Sequence, residues 1–464
     1  MTDDFSAGCV QRARELVSGR LVIIGGGNLA GSTRKVHALH ELGAERCFVL
    51  ATGVGTGPLP DPAEAESLVV ELEAPDMMSE MRAIEALLDD PPRGVVTELN
   101  RFDPDHEALV LLAAIGASLR IGDRVAYGAR PASWTALEDK TLCDELFDRA
   151  AVARPPSRVV PAAVAALRAA AAELDRGAGT VWSGDATEGF NGGGHAVRWI
   201  RDGDDGRDAA AFFSEHCARV RVAPFVEGLS CSVHGFVTDD GVAVLRPVEL
   251  VNLRRATGDR LQYAGCATFW DPRSGDRDVM RDAARRLGEH LRGIVAYRGA
   301  FTLDGIMGTD GFVATECNPR PGAGLGYVAA AAREFPLDIL QYLAVAGDAP
   351  WLRASELERF LLEAGDRVRW GGGWTPVGRR FDTTKVEKLA RDGETFRVAV
   401  DGEEPDATLT LGPGSMGGFL RIEMSSSRTP VGPSLGPLVA AAFAYADAVH
   451  HTGIGTVAAA PRVR

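Results

Sequence analysis

Asp304 and the run Thr315-Glu316-Cys317-Asn318-Pro319-Arg320-Pro321-Gly322 hold the sharpest chemical signal in the chain. In a strand–turn–strand hairpin, Asp304 and Glu316 can face one another across the ladder, and Asn318 shares the face of Glu316. Two carboxylates and an amide oxygen are hard ligands, suited to a Mg2+ that also touches substrate phosphates. Arg320 lies two residues further along the same face, where a guanidinium can neutralise a phosphoryl group. Pro319 and Pro321 fix the local backbone, and Gly322 and Gly324 allow a tight exit. Taken alone, the cluster also fits a plain β-hairpin with surface charges.

Three further segments carry less specific signals. Glu188-Gly189-Phe190-Asn191-Gly192-Gly193-Gly194 is dense enough in glycine for its N–H groups to close over phosphates, although a surface turn has the same composition. Pro224-Phe225-Val226-Glu227-Gly228 ends an apolar strand, and an extended segment of this kind can read adenine through backbone carbonyl and N–H groups. Any strand end looks alike in this respect. Lys140 is one of only four lysines, with Lys35, Lys385 and Lys388, among 50 basic residues. A compact ammonium differs from a guanidinium among phosphates, and a solvated lysine on a helix face is the plain alternative. His195 and the pair His450-His451 have no spaced ligand partners, which fits structural or surface roles.

These residues need elements to hold them. Leu21-Val-Ile-Ile24 has strand length and runs into Gly25-Gly26-Gly27-Asn28, then a helical spacing over 32–42 closed by Gly43, then a second strand at 46–51. That order reads as a parallel βαβ unit. Further strands are expected at 67–72 and 94–97, with helices over 78–88 and 106–116, so that the first 130 or so residues form one small doubly wound domain. Beyond the breaks at Pro155-Pro156 and Pro161, the Ala-rich run 162–174 predicts a helix. Strands follow at 180–182, 196–200, 219–225, 231–238 and 242–250, a long helix at 277–296, and strands at 300–306 and 311–316. Strands grouped before helices suggest an α+β domain. The tail after Gly347 predicts strands near 395–400 and 408–411, and a Ser/Pro/Gly stretch over 425–437 that reads as a lid or as an exposed loop.

Composition bounds the rest. A protein of 464 residues with a net charge of −14 lacks the basic stripe of a nucleic-acid binder. Seven cysteines with no CxxC pair match neither a zinc ribbon nor a disulfide framework and predict reduced thiols. The acidic start, Met1-Thr-Asp-Asp-Phe-Ser, differs from a signal peptide. The longest uncharged stretch, 429–446, is broken by three Pro and two Gly in its first half and cannot be read as a spanning helix. The expectation is a soluble, cytoplasmic protein with neither nucleic acid nor membrane as partner.

The order of the signals is informative. Asp139-Lys140, a Pro-rich strand start, a glycine loop, Phe-Val-Glu-Gly, then Asp304 and Glu-Cys-Asn-Pro-Arg-Pro-Gly: over 139–326 this resembles the ATP-grasp superfamily. Length and the extra C-terminal segment are similar to peptide ligases of antibiotic pathways such as pheganomycin biosynthesis. The resemblance implies a fold of α/β and α+β parts: a Rossmann-like pre-ATP-grasp domain over 1–133, a two-lobed ATP-grasp domain over 134–348, and a small C-terminal α+β region over 349–464. It implies ATP and Mg2+, with Lys140 on phosphate and Gly192, Gly193 and Gly194 as the phosphate cover. Pro224, Phe225 and Val226 would hold adenine, and Glu227 the ribose. Asp304, Glu316 and Asn318 would hold the metal, with Arg320 steadying the transferred phosphoryl group or the acyl phosphate.

Three positions depart from the family pattern. A second lysine is expected before the glycine loop, where this sequence reads Val181-Trp182-Ser183-Gly184-Asp185. Ala223 replaces a frequent acidic residue or Gln, and Thr302 stands where some ligases carry Arg. Arg246, Arg254 and Arg255 are the candidates for the missing charge, with Arg255 assigned beside Arg320 as catalytic; an adenine pocket floored by Trp182 is the other option.

The implied activity is a carboxylate–amine ligase acting through an acyl phosphate on small-molecule or peptide acids and amines, with a homodimer left open. An ATP-grasp kinase or carboxylase, or a degenerate ATP-binding regulatory protein, are the alternatives. Asn28, Glu98, Asn100, Arg101 and Arg255 are candidates for the acid and amine pockets. A dehydrogenase reading of the Gly25–Ala30 turn lacks the acidic residue about 20 positions on.

Overall fold

A computed structural model describes residues 2–113, 116, 118–189, 192–201, 203–255 and 258–461. Near the N-terminus lies a four-stranded parallel sheet in the order Ala65–Val69, Arg46–Ala51, Leu21–Gly27, Leu109–Leu112. Asn28 caps the helix Leu29–Glu41 by accepting from the Gly31 N–H at 2.7 Å, so this candidate pocket residue holds a helix terminus. Two expectations are reversed here. The strand expected over 94–97 lies in the helix Arg93–Phe102, whose Val95, Leu99 and Phe102 are buried at helical spacing. Where a helix was expected over 106–116, the described residues form the strand Leu109–Leu112, with all four side chains buried. A short, wholly apolar run has no period of its own, and only its burial on both faces tells strand from helix.

A second, antiparallel sheet runs Arg158–Pro161, Arg219–Pro224, Thr180–Gly184, Val197–Ile200. Helices Val164–Leu174 and Arg207–His216 cover one face, burying Leu167, Phe213, Val220, Val222 and Trp182 together. Trp182 is 1% exposed and belongs to that core, which removes it as an adenine floor.

The third sheet has 11 strands. Gly311–Asn318 is its edge, followed by Gly299–Gly308, Leu229–Val237, Val242–Arg255 and Leu261–Ala267. It continues through Gly371–Val377 into Gly417–Met424, Ala407–Gly414, Lys385–Asp392 and Thr395–Val398, so the C-terminal strands extend the sheet that carries the hairpin. Helix Ser274–Val295 packs on one face against Cys231, Val233, Phe301 and Leu303. Ser232, His234, Thr302 and Asp304 alternate with those residues and share the other face. The 425–437 stretch is pinned down: Glu249 accepts from Ser434 Oγ and the Leu435 N–H, both at 2.6 Å, and Gly432 bonds Phe269. All seven cysteines are buried and free.

Candidate active site

Asp304 and Glu316 are direct partners in the antiparallel ladder, and Thr302 pairs with Asn318 one step along. The carboxylate of Asp304 accepts from Ser232 Oγ and, at 2.8 Å, from Asn318 Nδ2. Burial, then the neighbouring charge of Glu316, pushes its carboxyl up to about 7. The hydrogen-bond donors to this buried carboxylate are neutral and a second carboxylate faces it, so the donor set fits a hard divalent cation.

Two cations reach this pair from the segment 130–142 and from the hairpin exit. Lys140 stands in a one-turn helix, Lys140–Leu142, set by Asp139, which accepts from Thr141 N at 2.8 Å and Thr141 Oγ1 at 2.7 Å. Its ammonium is buried and ion-paired to Glu316. Burial opposes the charged form, and Glu316 outweighs that, raising the lysine above its ordinary value. Arg320 donates from Nη2 to Asn318 Oδ1 and from Nε to Glu138 Oε2, both at 3.0 Å. Glu138 in turn receives Arg130 at 2.5 Å, and Arg130 also bonds the Pro319 carbonyl at 3.0 Å.

Beneath the hairpin exit, His234 Nδ1 lies 3.0 Å from Thr302 Oγ1, which donates to the Arg320 carbonyl at 3.2 Å. Burial pulls this imidazole down to about 3, so it stays neutral. A Cβ at Gly322 would sit 2.6 Å from Thr302 Oγ1, and one at Gly324 2.6 Å from His234 Nε2; the turn needs both glycines for close approach. Glu138, Arg130, Ser232 and His234 escape the sequence reading, since each is a lone polar residue in an apolar or loop context.

The remaining expected residues lie in the small antiparallel sheet and the loops that leave its strands. Gly192 and Gly193 lie against Met78 and Met77 of the N-terminal region, with the Gly192 N–H 3.2 Å from Met78 Sδ, and Gly193 and Gly194 take φ of 57° and 74°. Phe190 and Asn191 of this loop fall outside the described residues. Pro224 ends its strand, Phe225 stacks on Trp199 at 4.1 Å, and the Val226 N–H has no hydrogen-bond partner among the described residues. Glu227 is ion-paired to Arg254, whose guanidinium also lies 5.3 Å over Phe225.

The structure does not bring Arg255 to the hairpin. It sits at the far end of Val242–Arg255, beyond the residues paired to Ser232, and donates to the Ile454 carbonyl at 2.8 Å. Arg246 is paired with Asp271 and Asp366. Glu98 and Arg101 pair with each other at 2.8 Å, and Asn100 accepts from Arg124 at 3.0 Å, so all three are engaged within the N-terminal region.

No protein-family model and no curated protein sequence matches the protein. Solved structures do. An L-amino acid ligase from Bacillus licheniformis is 13% identical with a TM-score of 0.50, over 96% of this chain and 99% of that one. A biotin carboxylase from Campylobacter jejuni, bound to a β,γ-ATP ligand, is 12% identical with a TM-score of 0.55, over 88% and 87%. An N5-carboxyaminoimidazole synthase from Aspergillus clavatus, in complex with ADP and 5-aminoimidazole ribonucleotide, is 13% identical with a TM-score of 0.50, over 88% and 94%. The protein shares its fold with these enzymes. Among the described residues, no helix is long and apolar enough to cross a membrane.

Proposed function

We propose that the protein is an ATP-dependent carboxylate–amine ligase. The observation that carries this reading is the hairpin itself: Asp304 opposite Glu316, Asn318 beside them, Lys140 on Glu316 and Arg320 on Asn318. An acid oxygen attacks the γ-phosphorus of ATP, the bond to the β-phosphate oxygen breaks, and ADP and an acyl phosphate result. An amine nitrogen then attacks the acyl carbon, inorganic phosphate leaves, and the ammonium proton is released to solvent as the amide forms. Mg2+ held by Asp304, Glu316 and Asn318 supplies charge neutralisation to the phosphates when bound. Lys140 orients the polyphosphate, and Arg320, fixed through Glu138, holds the transferred group. The work of the protein is positioning and electrostatics.

The narrower form of the reading is a peptide ligase of an antibiotic pathway, supported by the length of the protein and the C-terminal extension of the sheet. A second reading, a carboxylase using bicarbonate as the acid, draws on the likeness to biotin carboxylase. ADP release across a panel of acids and amines separates them: dependence on both a carboxylic acid and an amine supports the ligase, and release driven by bicarbonate replaces it with the carboxylase.

Two variants test the hairpin. Glu316→Gln should cut turnover by about a hundredfold or more, since it removes one ligand charge. It also leaves the Lys140 ammonium buried without its partner, so its melting temperature should fall. Asp304→Asn should cut turnover by a similar factor while the metal-free protein keeps or gains stability, because a carboxylate that burial already disfavours is replaced by a neutral amide. Turnover retained in both variants sinks the metal assignment.

A further inference from the structure

The nucleotide reading leaves the polyphosphate with Lys140 and Arg320, both already balanced by buried or half-buried carboxylates. A third cation stands nearby. In the small antiparallel sheet, Val220 and Val222 point into the core with Trp182, so Arg219, Arg221 and Ser183 occupy the opposite face. That face looks onto the turn that carries Lys140: Arg219 Nη2 reaches Thr141 Oγ1 at 3.2 Å, and Arg221 Nε donates to Asp144 Oδ1 at 2.7 Å. Ser183 is the direct cross-strand partner of Arg221, and its short side chain leaves the guanidinium room.

Arg221 is 5% exposed, yet its Nη2 has no hydrogen-bond partner among the described residues. A guanidinium offers five donors, and a buried one left without an acceptor costs free energy that a bound anion would recover. The turn Lys140–Leu142 runs directly into the helix Cys143–Arg149, which carries Asp144, so Lys140 and the partner of Arg221 lie on one continuous segment. We propose that Arg221 is a phosphate-binding residue, donating its free Nη2 to the polyphosphate of a nucleoside triphosphate beside Lys140. The assignment rests on the reading of this cleft as the nucleotide site.

Equilibrium binding of MgATP, with neither acid nor amine present, tests it. Arg221→Met should weaken ATP and ADP binding by about tenfold to a hundredfold, the range of a lost charge-assisted hydrogen bond, with competition by adenosine unchanged. Asp144 keeps Ser157 at 2.6 Å and Arg154 at 3.5 Å in that variant, which limits the damage to the fold. A lysine placed directly opposite should reach the same space, so Ser183→Lys in the Arg221→Met background should recover most of the lost affinity. Where Arg221→Met does not fold, Arg221→Lys replaces it, with a smaller loss of ATP affinity expected and again none for adenosine.

ATP affinity within twofold of wild type in a folded Arg221→Met protein overturns the proposal, as does an equal loss for adenosine. A wild-type protein that binds no MgATP overturns both this and the ligase reading. One that binds MgATP through Arg221 but forms ADP with no acid–amine pair overturns the ligase reading alone.

Discussion

Thr302 shows how much one hydroxyl can decide. Its proton goes to the Arg320 carbonyl, so its lone pair must accept from His234 Nδ1, and the imidazole is thereby held in one tautomer with Nε2 against Gly324. Thr302→Val keeps the shape and removes both bonds. It should cost about 1–3 kcal/mol, because a buried N–H of His234 loses its acceptor. If Arg320 holds the transferred group as proposed, release of its backbone should lower kcat about tenfold. Thr302→Ser keeps the hydroxyl and should stay within a few-fold of wild type; a Ser variant as poor as the Val variant would show that the methyl, and not the hydrogen bond, matters. At this scale the hairpin was legible in the sequence, since Asp304, Glu316, Asn318 and Arg320 crowd into 17 positions read along two paired strands. The residues that support them come from strands and turns far away in sequence, and a single Glu138 or His234 looks like any other polar residue. Arg221 did leave a trace: Arg219-Val-Arg221-Val alternates charge with a β-branched residue, the mark of a strand with one polar face.

Among elements, the strand Val242–Arg255 helps to fasten the hairpin sheet to the C-terminal helix. Glu249, 2% exposed, caps Gly436–His450 by accepting from the Leu435 and Gly436 N–H groups and from Ser434 Oγ. Burial raises its carboxyl above the ordinary glutamate value, against the pull of those donors. A raised carboxyl contributes stability in its neutral form. The contribution is therefore complete below the unfolded value, about 4.3, and is lost as pH rises through the folded value. Glu249→Gln cannot ionise, so the melting temperature of wild type minus that of the variant should be greatest near pH 4.5 and shrink toward neutrality. A difference that widens with pH would reverse the sign of the argument. Glu249→Ala should cost about 3 kcal/mol at low pH, where the wild-type contribution is complete, and less toward neutrality, since it strands two buried N–H groups. The sequence pointed to a loop at 425–437 and could not show that it is fastened, because the fastening residue lies almost 190 positions earlier and reads as a polar interruption in an apolar strand.

Across the whole molecule, the parallel sheet and the hairpin sheet must hold a fixed relation if the acid and amine are to meet the phosphates between them. Their contact is partly apolar, with Val36 and Leu111 in one core with Val248 and Leu340. It is also polar, in part through one oxygen: Lys35 Nζ donates to Tyr342 Oη at 2.9 Å, and that hydroxyl donates to the Leu112 carbonyl at 2.6 Å. Tyr342 lies on the helix Leu337–Ala346, Lys35 on the helix Leu29–Glu41, and Leu112 ends the fourth parallel strand, so three elements from two parts of the molecule meet at one oxygen. Burial disfavours the Lys35 ammonium, and Tyr342 and Asp338 restore it. Tyr342→Phe should therefore cost about 2 kcal/mol, the worth of a hydrogen bond to a charged group. Lys35→Met should cost less, having no charge left to desolvate. If the contact couples the two parts, Lys35→Met in the Tyr342→Phe background should be less harmful than in wild type, or should even recover stability, giving a coupling energy of about 1 kcal/mol in a double-mutant cycle. Strictly additive losses would mean that the apolar core alone sets the relation between the sheets. In that case Tyr342→Phe should leave the apparent KM for the acid and amine of the proposed reaction where it was, whereas a loosened cleft should raise both while leaving MgATP affinity constant.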